Sequence, residues 1–185
     1  MIQETLQELQ EKIDKAHEAL RRELAKLRTG RAHPDLLDAI KVDYYGVPTP
    51  IKQLATISVP EPRQLAVKPF DRSQIAQVEK AIRESDLGLN PSNDGELIRI
   101  PMPQLTEERR RELVKIARKH GEECKVAIRH ARHEARDVLS ELEKEGEASA
   151  DDVERAMKQV EEIVKKATAR VDEILARKEE DILAV

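Results

Sequence analysis

Apolar residues recur every three or four positions from the start of the chain. Ile2, Leu6, Leu9, Ile13, Ala16, Leu20, Leu24 and Leu27 form one stripe on a helix. The stripe ends at Thr29-Gly30, and glycine just past a helix is a common stop. The period then changes. Residues 40–45 (Ile-Lys-Val-Asp-Tyr-Tyr) alternate, and Gly46-Val47-Pro48-Thr49-Pro50 punctuates them as a turn. Short β-type runs rich in Val, Ile and Leu follow at 54–59, 65–68 and 96–100. Between the last two lies a short helical pattern, Ile75, Val78 and Ile82. Asp71 opens it with Gln74 three residues on, as in a capping box. Asp86-Leu87-Gly88-Leu89-Asn90-Pro91 closes it, so the middle segment reads as a small α/β layer structure.

Pro101-Met102-Pro103 marks the return to helical spacing. Thr106 is a good N-cap, and Glu107 and Glu108 follow in the first turn, where carboxylates favour the helix dipole. The second long helix runs to about residue 145, with an apolar face of Leu113, Ile116, Ala117, His120, Cys124, Ala127, Ile128, Ala131, Ala135, Val138 and Leu142. Gly146 breaks it. Ser149 with Asp152 opens a third helix, whose stripe is Val153, Met157, Val160, Val164, Ala167, Val171 and Ile174.

A lone amphipathic helix leaves its stripe in water, so the three are expected to pack together. At ~1.5 Å per residue they reach roughly 40–55 Å. The expected fold class is α+β: an elongated three-helix bundle from residues 1–30 and 104–185, with a small α/β layered domain, 31–103, inserted between its first two helices. Two short crossings join the parts, at Arg28-Thr29-Gly30-Arg31 and at Pro101-Met102-Pro103. They suit a two-stranded hinge at Thr29, Gly30, Pro101 and Pro103, although the prolines can equally stiffen it.

Composition agrees with long helices: charged residues make up 38% of the chain and aromatics 2%. The net charge of −4 argues against an indiscriminate polyanion binder but leaves room for a local basic face. A single cysteine, Cys124, allows no intramolecular disulfide. The charged start, Met1-Ile2-Gln3-Glu4, is unlike a signal peptide, and no apolar run is long enough to cross a bilayer. The expectation is a cytoplasmic chain without membrane contact.

The most informative chemistry lies on the second long helix. Arg111, Lys115, Arg118, Lys125, Arg129, Arg132 and Arg136 follow steps of three and four, interrupted by Glu122. Their phase lies about two residues, or roughly 200°, from the apolar stripe, which points them at solvent opposite the core. A solvated face laced with ion pairs is the ordinary meaning of such a stripe. Here the pairing acids look too few: Glu112, Glu122, Glu123 and Glu134 are outnumbered, and Glu122 alone sits within the stripe. Guanidinium groups over several turns suit a rigid array of phosphates, which Arg binds bidentately. Base readout needs exposed aromatics. The chain has only Tyr44, Tyr45 and Phe70, expected to pack in the inserted core, so shape and phosphate contacts on structured RNA fit better.

No nucleophile–base pair emerges. His130 and His133, three apart and followed by Glu134, lack the His-Glu-x-x-His order of a zinc hydrolase and sit within an arginine-rich turn that repels cations. Cys124 lies on the apolar face and reads as packing. The remaining histidines are His17, His33 and His120. No catalytic residue, metal or cofactor is expected.

Several local sequences together resemble the ribosome recycling factor family. They are Leu27-Arg28-Thr29-Gly30-Arg31-Ala32, Val42-Asp43-Tyr44-Tyr45-Gly46, Pro48-Thr49-Pro50, Ser85-Asp86-Leu87-Gly88-Leu89-Asn90-Pro91, Leu105-Thr106-Glu107-Glu108-Arg109-Arg110, and Val126-Ala127-Ile128-Arg129 with Arg132. Their order and spacing match essentially from end to end. The resemblance implies a three-helix bundle carrying a small α/β domain on a hinge, with an L-shaped outline like transfer RNA. It implies a monomer without an active site that binds the post-termination ribosome, mainly large-subunit ribosomal RNA. With elongation factor G and GTP it would separate the subunits and release messenger RNA. Carried over by position, RNA contacts fall on Arg129 and Arg132, with Arg28 and Arg31 near the hinge. Where many relatives have a second arginine after the one matching Arg132, this chain has His133. Two other classes compete: a coiled-coil module that binds protein helices, and a metal-dependent hydrolase. The arginine excess and the inserted domain speak against the first, and the missing ligand order speaks against the second.

Overall fold

A computed structural model describes residues 1–27 and 29–184, and in it the first stripe becomes helix α1 (Ile2–Ala25). The inward line is Thr5, Leu6, Leu9, Ile13, His17, Leu20 and Leu24. Ala16, expected on the apolar face, is half-buried, and His17 takes the inward position instead. Its Nε2 lies 3.0 Å from the backbone oxygen of Ala167. That carbonyl only accepts, so the ring carries a proton on Nε2 and the buried polar edge is satisfied.

The second and third stripes become α3 (Glu107–Lys144) and α4 (Ala150–Leu183). α3 buries Leu113, Ala117, Gly121, Cys124, Ile128, Ala131, Ala135, Leu139 and Leu142, and α4 buries Val153, Ala156, Val160, Ala167, Val171 and Ile182. Gly121 is an absence of side chain that packing uses: a Cβ there would meet Leu175 of α4, with Cγ at 3.1 Å. The turn between the helices is built from local signals. Gly146 has φ +74, and the amide of Glu147 returns 2.9 Å to the Leu142 carbonyl, the pattern of a left-handed C-cap. Ser149 Oγ then accepts the Asp152 amide at 3.1 Å and caps α4.

Side-chain pairs give the helix directions. Arg118 meets Glu179 and Arg132 meets Glu161, so numbering falls along α4 as it rises along α3, and the two run antiparallel. Lys12 pairs with Glu134, and Cys124 Sγ donates to the Ala16 carbonyl at 3.4 Å, so α1 also runs against α3. The result is an up-down-up bundle of Met1–Arg28 and Glu108–Ile182, one of the two compact units of the chain.

The other unit comprises Thr29–Glu107 and Leu183–Val185. Strands β1 (Lys41–Tyr44) and β2 (Val47–Pro50) form an antiparallel hairpin, with Tyr44 opposite Val47. The two residues between them, Tyr45 (φ +50) and Gly46 (φ +84), both take the left-handed region that a tight hairpin turn requires. Strands β3 (Ala55–Glu61), β4 (Gln64–Pro69), β5 (Ser92–Asn93) and β6 (Ile98–Pro101) form an antiparallel sheet ordered β3-β4-β6-β5. Helix α2 (Ile75–Arg83) turns Val78 and Ile82 into a core shared with Leu37, Val42, Ile51, Leu65, Val67, Ile98 and Ile100. The proposed capping box takes another form. Asp71 accepts from the Ser73 amide at 3.0 Å and hydroxyl at 2.7 Å, capping a short 3₁₀ turn, while Gln74 makes no side-chain cap bond.

The aromatic residues depart from expectation. Tyr45 is 72% and Phe70 70% exposed, and Tyr44 is half-buried, its ring edge-on to Tyr45 at 4.6 Å. Tyr45 sits on the hairpin turn and Phe70 just past the end of β4, so neither lies on a sheet face that another element covers. Valine, leucine and isoleucine fill this core instead.

Candidate nucleic-acid interface

The basic residues of α3 lie on its flank. The truly buried line includes Gly121 and Leu139, whereas Ile116 is half-buried, Ala127 exposed and Val138 45% exposed. Those last three all lean to one side of α3, so counting them as core tilts the apparent stripe away from the arginines. Measured from Ala117, Cys124, Ile128 and Ala135 at ~100° per residue, the basic stripe is displaced by roughly 100° rather than 200°. Lys125, Arg132 and Arg136 are consequently half-buried at the edge facing α4.

This placement overturns the expectation that pairing acids are too few, because α4 supplies them. Arg118 Nε donates to Glu179 Oε1 at 2.8 Å, and Lys125 Nζ meets Asp172 Oδ1 at 2.9 Å. One oxygen of Glu161 takes two guanidinium groups, Arg132 through Nε at 2.9 Å and Arg136 through Nη1 at 2.8 Å. The hydrogen bond from Arg132 holds the Glu161 carboxyl below the usual carboxylate range, and the bond to Asp172 raises the Lys125 ammonium above its ordinary value. A signal for these partners exists in the numbering. The steps 118 to 125 and 125 to 136 repeat in reverse from 179 to 172 and 172 to 161. Matching steps in opposite directions are what an antiparallel helix pair produces.

Farther from α4, the line reaches open solvent. Arg111, Lys115 and Arg129 are exposed, and Lys119 joins them, a cation the sequence pattern had not singled out. Lys115 and Lys119 have no ion-pair partner among the described residues. Arg129 meets Glu122 loosely at 3.8 Å. The flank is thus two-tiered, with guanidinium and ammonium groups held in register by α4 beside outward cations. An arginine engaged through one or two N–H groups keeps its others for a phosphate.

The remaining candidates fall elsewhere. Arg28 lies outside the described residues. Arg31 is exposed in the other compact unit, where its amide donates to Thr29 Oγ1 at 3.3 Å. Of the crossing residues, Gly30 stands where a Cβ would lie 3.2 Å from the Ala184 carbonyl oxygen. Pro101 is the last paired residue of β6, opposite Gln64, and Met102 is buried in the adjoining core, leaving Pro103 as the exposed exit.

His130 Nε2 lies 2.7 Å from Glu134, which also binds Lys12, and no group of ligating side chains suited to a metal ion occurs among the described residues. Burial pushes the Cys124 thiol pKa up, which suppresses the reactive thiolate. No described helix is long and apolar enough to cross a membrane.

The chain is similar to known proteins along its whole length. The family model described as ribosome recycling factor matches residues 20–183. A ribosome-recycling factor of Sorangium cellulosum is 58% identical over 185 residues, covering all of both chains, and one of Rhodococcus jostii is 52% identical over the same span. Among solved structures, a ribosome recycling factor in solution aligns with a TM-score of 0.72 at 41% identity, covering 100% of this chain and 98% of that one. Another match is to the T. thermophilus ribosome recycling factor, described with E. coli elongation factor G bound to the E. coli post-termination complex. It has a TM-score of 0.64 at 44% identity and covers both chains fully. With the motifs, the architecture and these full-length likenesses in agreement, the chain belongs to the ribosome recycling factor family.

Proposed function

We propose that this chain is a non-catalytic translation factor of the cytoplasm. It acts as a monomer, binds the post-termination ribosome through large-subunit ribosomal RNA and, with elongation factor G and GTP, promotes separation of the subunits and release of messenger RNA. The observation that carries this reading is the full-length likeness to a ribosome recycling factor found with elongation factor G on a post-termination complex. The flank of α3 supports it physically: a helix of 38 residues presents cations over many turns on a rigid support, which suits the fixed spacing of structured RNA.

In this proposal the helical bundle grips RNA through Arg129, Arg132, Arg111, Lys115, Arg118, Lys125 and Arg136, aided by Arg28 and by Arg31 of the other unit. The inserted domain, 31–103, swings about Thr29, Gly30, Pro101 and Pro103 when the GTPase acts, and carries the mechanical work. The chain supplies no chemistry of its own and needs no metal or cofactor. Sedimentation of post-termination ribosomes with this protein, elongation factor G and GTP, omitting each in turn, tests the reading. Subunits released only when all three are present are the expected result. Failure to bind or to promote splitting with a matched elongation factor would overturn it.

A further inference from the structure

The half-buried part of the basic flank has a feature that simple phosphate binding does not require: Glu161 sits between two of its arginines. Both guanidinium groups converge on one carboxylate oxygen, at 2.8–2.9 Å, and all three side chains are close to half exposed. A carboxylate so placed has two opposed effects on an approaching polyanion. It repels any phosphate, and it reduces the local charge of the group from two positive to one. It also holds two long, flexible side chains in one arrangement, so that less rotamer freedom is lost when they meet a matching pair of phosphates. The repulsion acts on every RNA, whereas the alignment rewards only an RNA whose phosphates fit.

We infer that Glu161 is a positioning residue that sets selectivity, holding Arg132 and Arg136 for one rigid phosphate arrangement and weakening their attraction for RNA in general. This rests on the ribosomal RNA-binding reading above and deepens it. The chain carries a net charge of −4, and the partners of Lys125 and Arg118, Asp172 and Glu179, come from the same face of α4 as Glu161. Suppression of indiscriminate RNA binding is therefore built along the flank, and Glu161 is the point where one acid governs two arginines.

The test compares binding to vacant 70S ribosomes with binding to a double-stranded RNA of random sequence. For Glu161→Gln, which keeps the shape and removes the charge, duplex affinity should rise roughly five- to tenfold at about 0.1 M salt. The logarithmic salt slope should steepen by about 0.9, the effect of one more released counterion. Ribosome affinity should not rise. Glu161→Asp keeps the charge but shortens the reach, so it should leave duplex binding weak and lower ribosome binding. Glu11→Gln, on exposed α1 surface, removes the same charge elsewhere and should move neither affinity. A rise of equal size on both RNAs in Glu161→Gln would overturn the inference, because the residue would then only dilute charge. A change in thermal melting with neither affinity altered would also overturn it, by making the residue a packing contact. The wild-type arm keeps the two readings apart: no ribosome binding there overturns the functional proposal itself, whereas binding with an inert Glu161→Gln overturns only this assignment.

Discussion

Arg129 and Arg132 are both basic-flank residues, yet they answer a charge reversal differently. Arg132 is hydrogen-bonded to Glu161, so Arg132→Glu brings two carboxylates together and disturbs the α3–α4 contact as well as any RNA contact. Arg129 is exposed and its nearest acid, Glu122, is 3.8 Å away. Arg129→Glu should therefore leave helicity and thermal melting within error of the wild type while strongly weakening ribosome binding; full-strength binding would remove the flank from the interface. At Gly121 the argument concerns volume. Alanine gains about 1 kcal/mol of helix propensity, but its methyl displaces Leu175 in a packed contact, and overpacking typically costs about 1–3 kcal/mol. Gly121→Ala should be neutral to destabilising in the wild type and stabilising by about 1 kcal/mol in a Leu175→Ala background. Chemical denaturation of the four variants measures this coupling, and strict additivity would mean that Leu175 is not what restricts the site.

At the scale of elements, the α3–α4 turn is governed by two residues whose roles are backbone chemistry. Gly146 has φ +74 and open space around its missing Cβ, so a substitution meets only the conformational penalty. Gly146→Ala should lower stability by about 1 kcal/mol, and Gly146→Asn by less, since asparagine tolerates the left-handed region. Ser149→Ala removes the acceptor for the Asp152 amide and should cost a further ~1 kcal/mol. Denaturant midpoints of these variants check both figures, and Ala and Asn behaving alike at residue 146 would contradict the left-handed cap. These positions were legible in the chain because capping depends on residues within one turn of each other. The capping box at Asp71 was half legible. The acceptor was right, but whether it caps a 3₁₀ turn through Ser73 or an α-helix with help from Gln74 depends on how the segment leaves β4.

For the whole molecule, inter-helix ion pairs tie stability to acidity. Glu134 is held below the usual carboxylate range chiefly by its bond from Lys12, and Glu161 by its bond from Arg132. A carboxyl lowered in the folded state binds its proton first in the unfolded chain. Its stabilisation is therefore present above the unfolded value of about 4.3 and is lost as pH falls through the folded value. Both pairs touch solvent, which screens their attraction, so the contribution of each is small. The melting-temperature difference between wild type and Glu161→Gln should shrink as pH drops below about 4 and be constant from pH 6 to 8. A difference unchanged into strong acid would mean that the ion pairs add nothing.

Periodicity, caps and turn glycines are local properties, and from them alone followed three long amphipathic helices, an inserted strand-rich segment and a cationic run on the second helix. The ordered motifs also pointed to the family. The rotational position of that run about α3 was not local. It depended on Gly121 and Leu139 being core while Ala127 and Val138 are not, and an amphipathic helix with small residues on several sides does not specify its own centre. The partners of the run were likewise undecided until the antiparallel register of α3 and α4 brought Glu161, Asp172 and Glu179 alongside. The exposure of Tyr45 and Phe70 had the same origin. An aromatic side chain is buried only where another element arrives to cover it, and that is settled by packing between segments far apart in the chain.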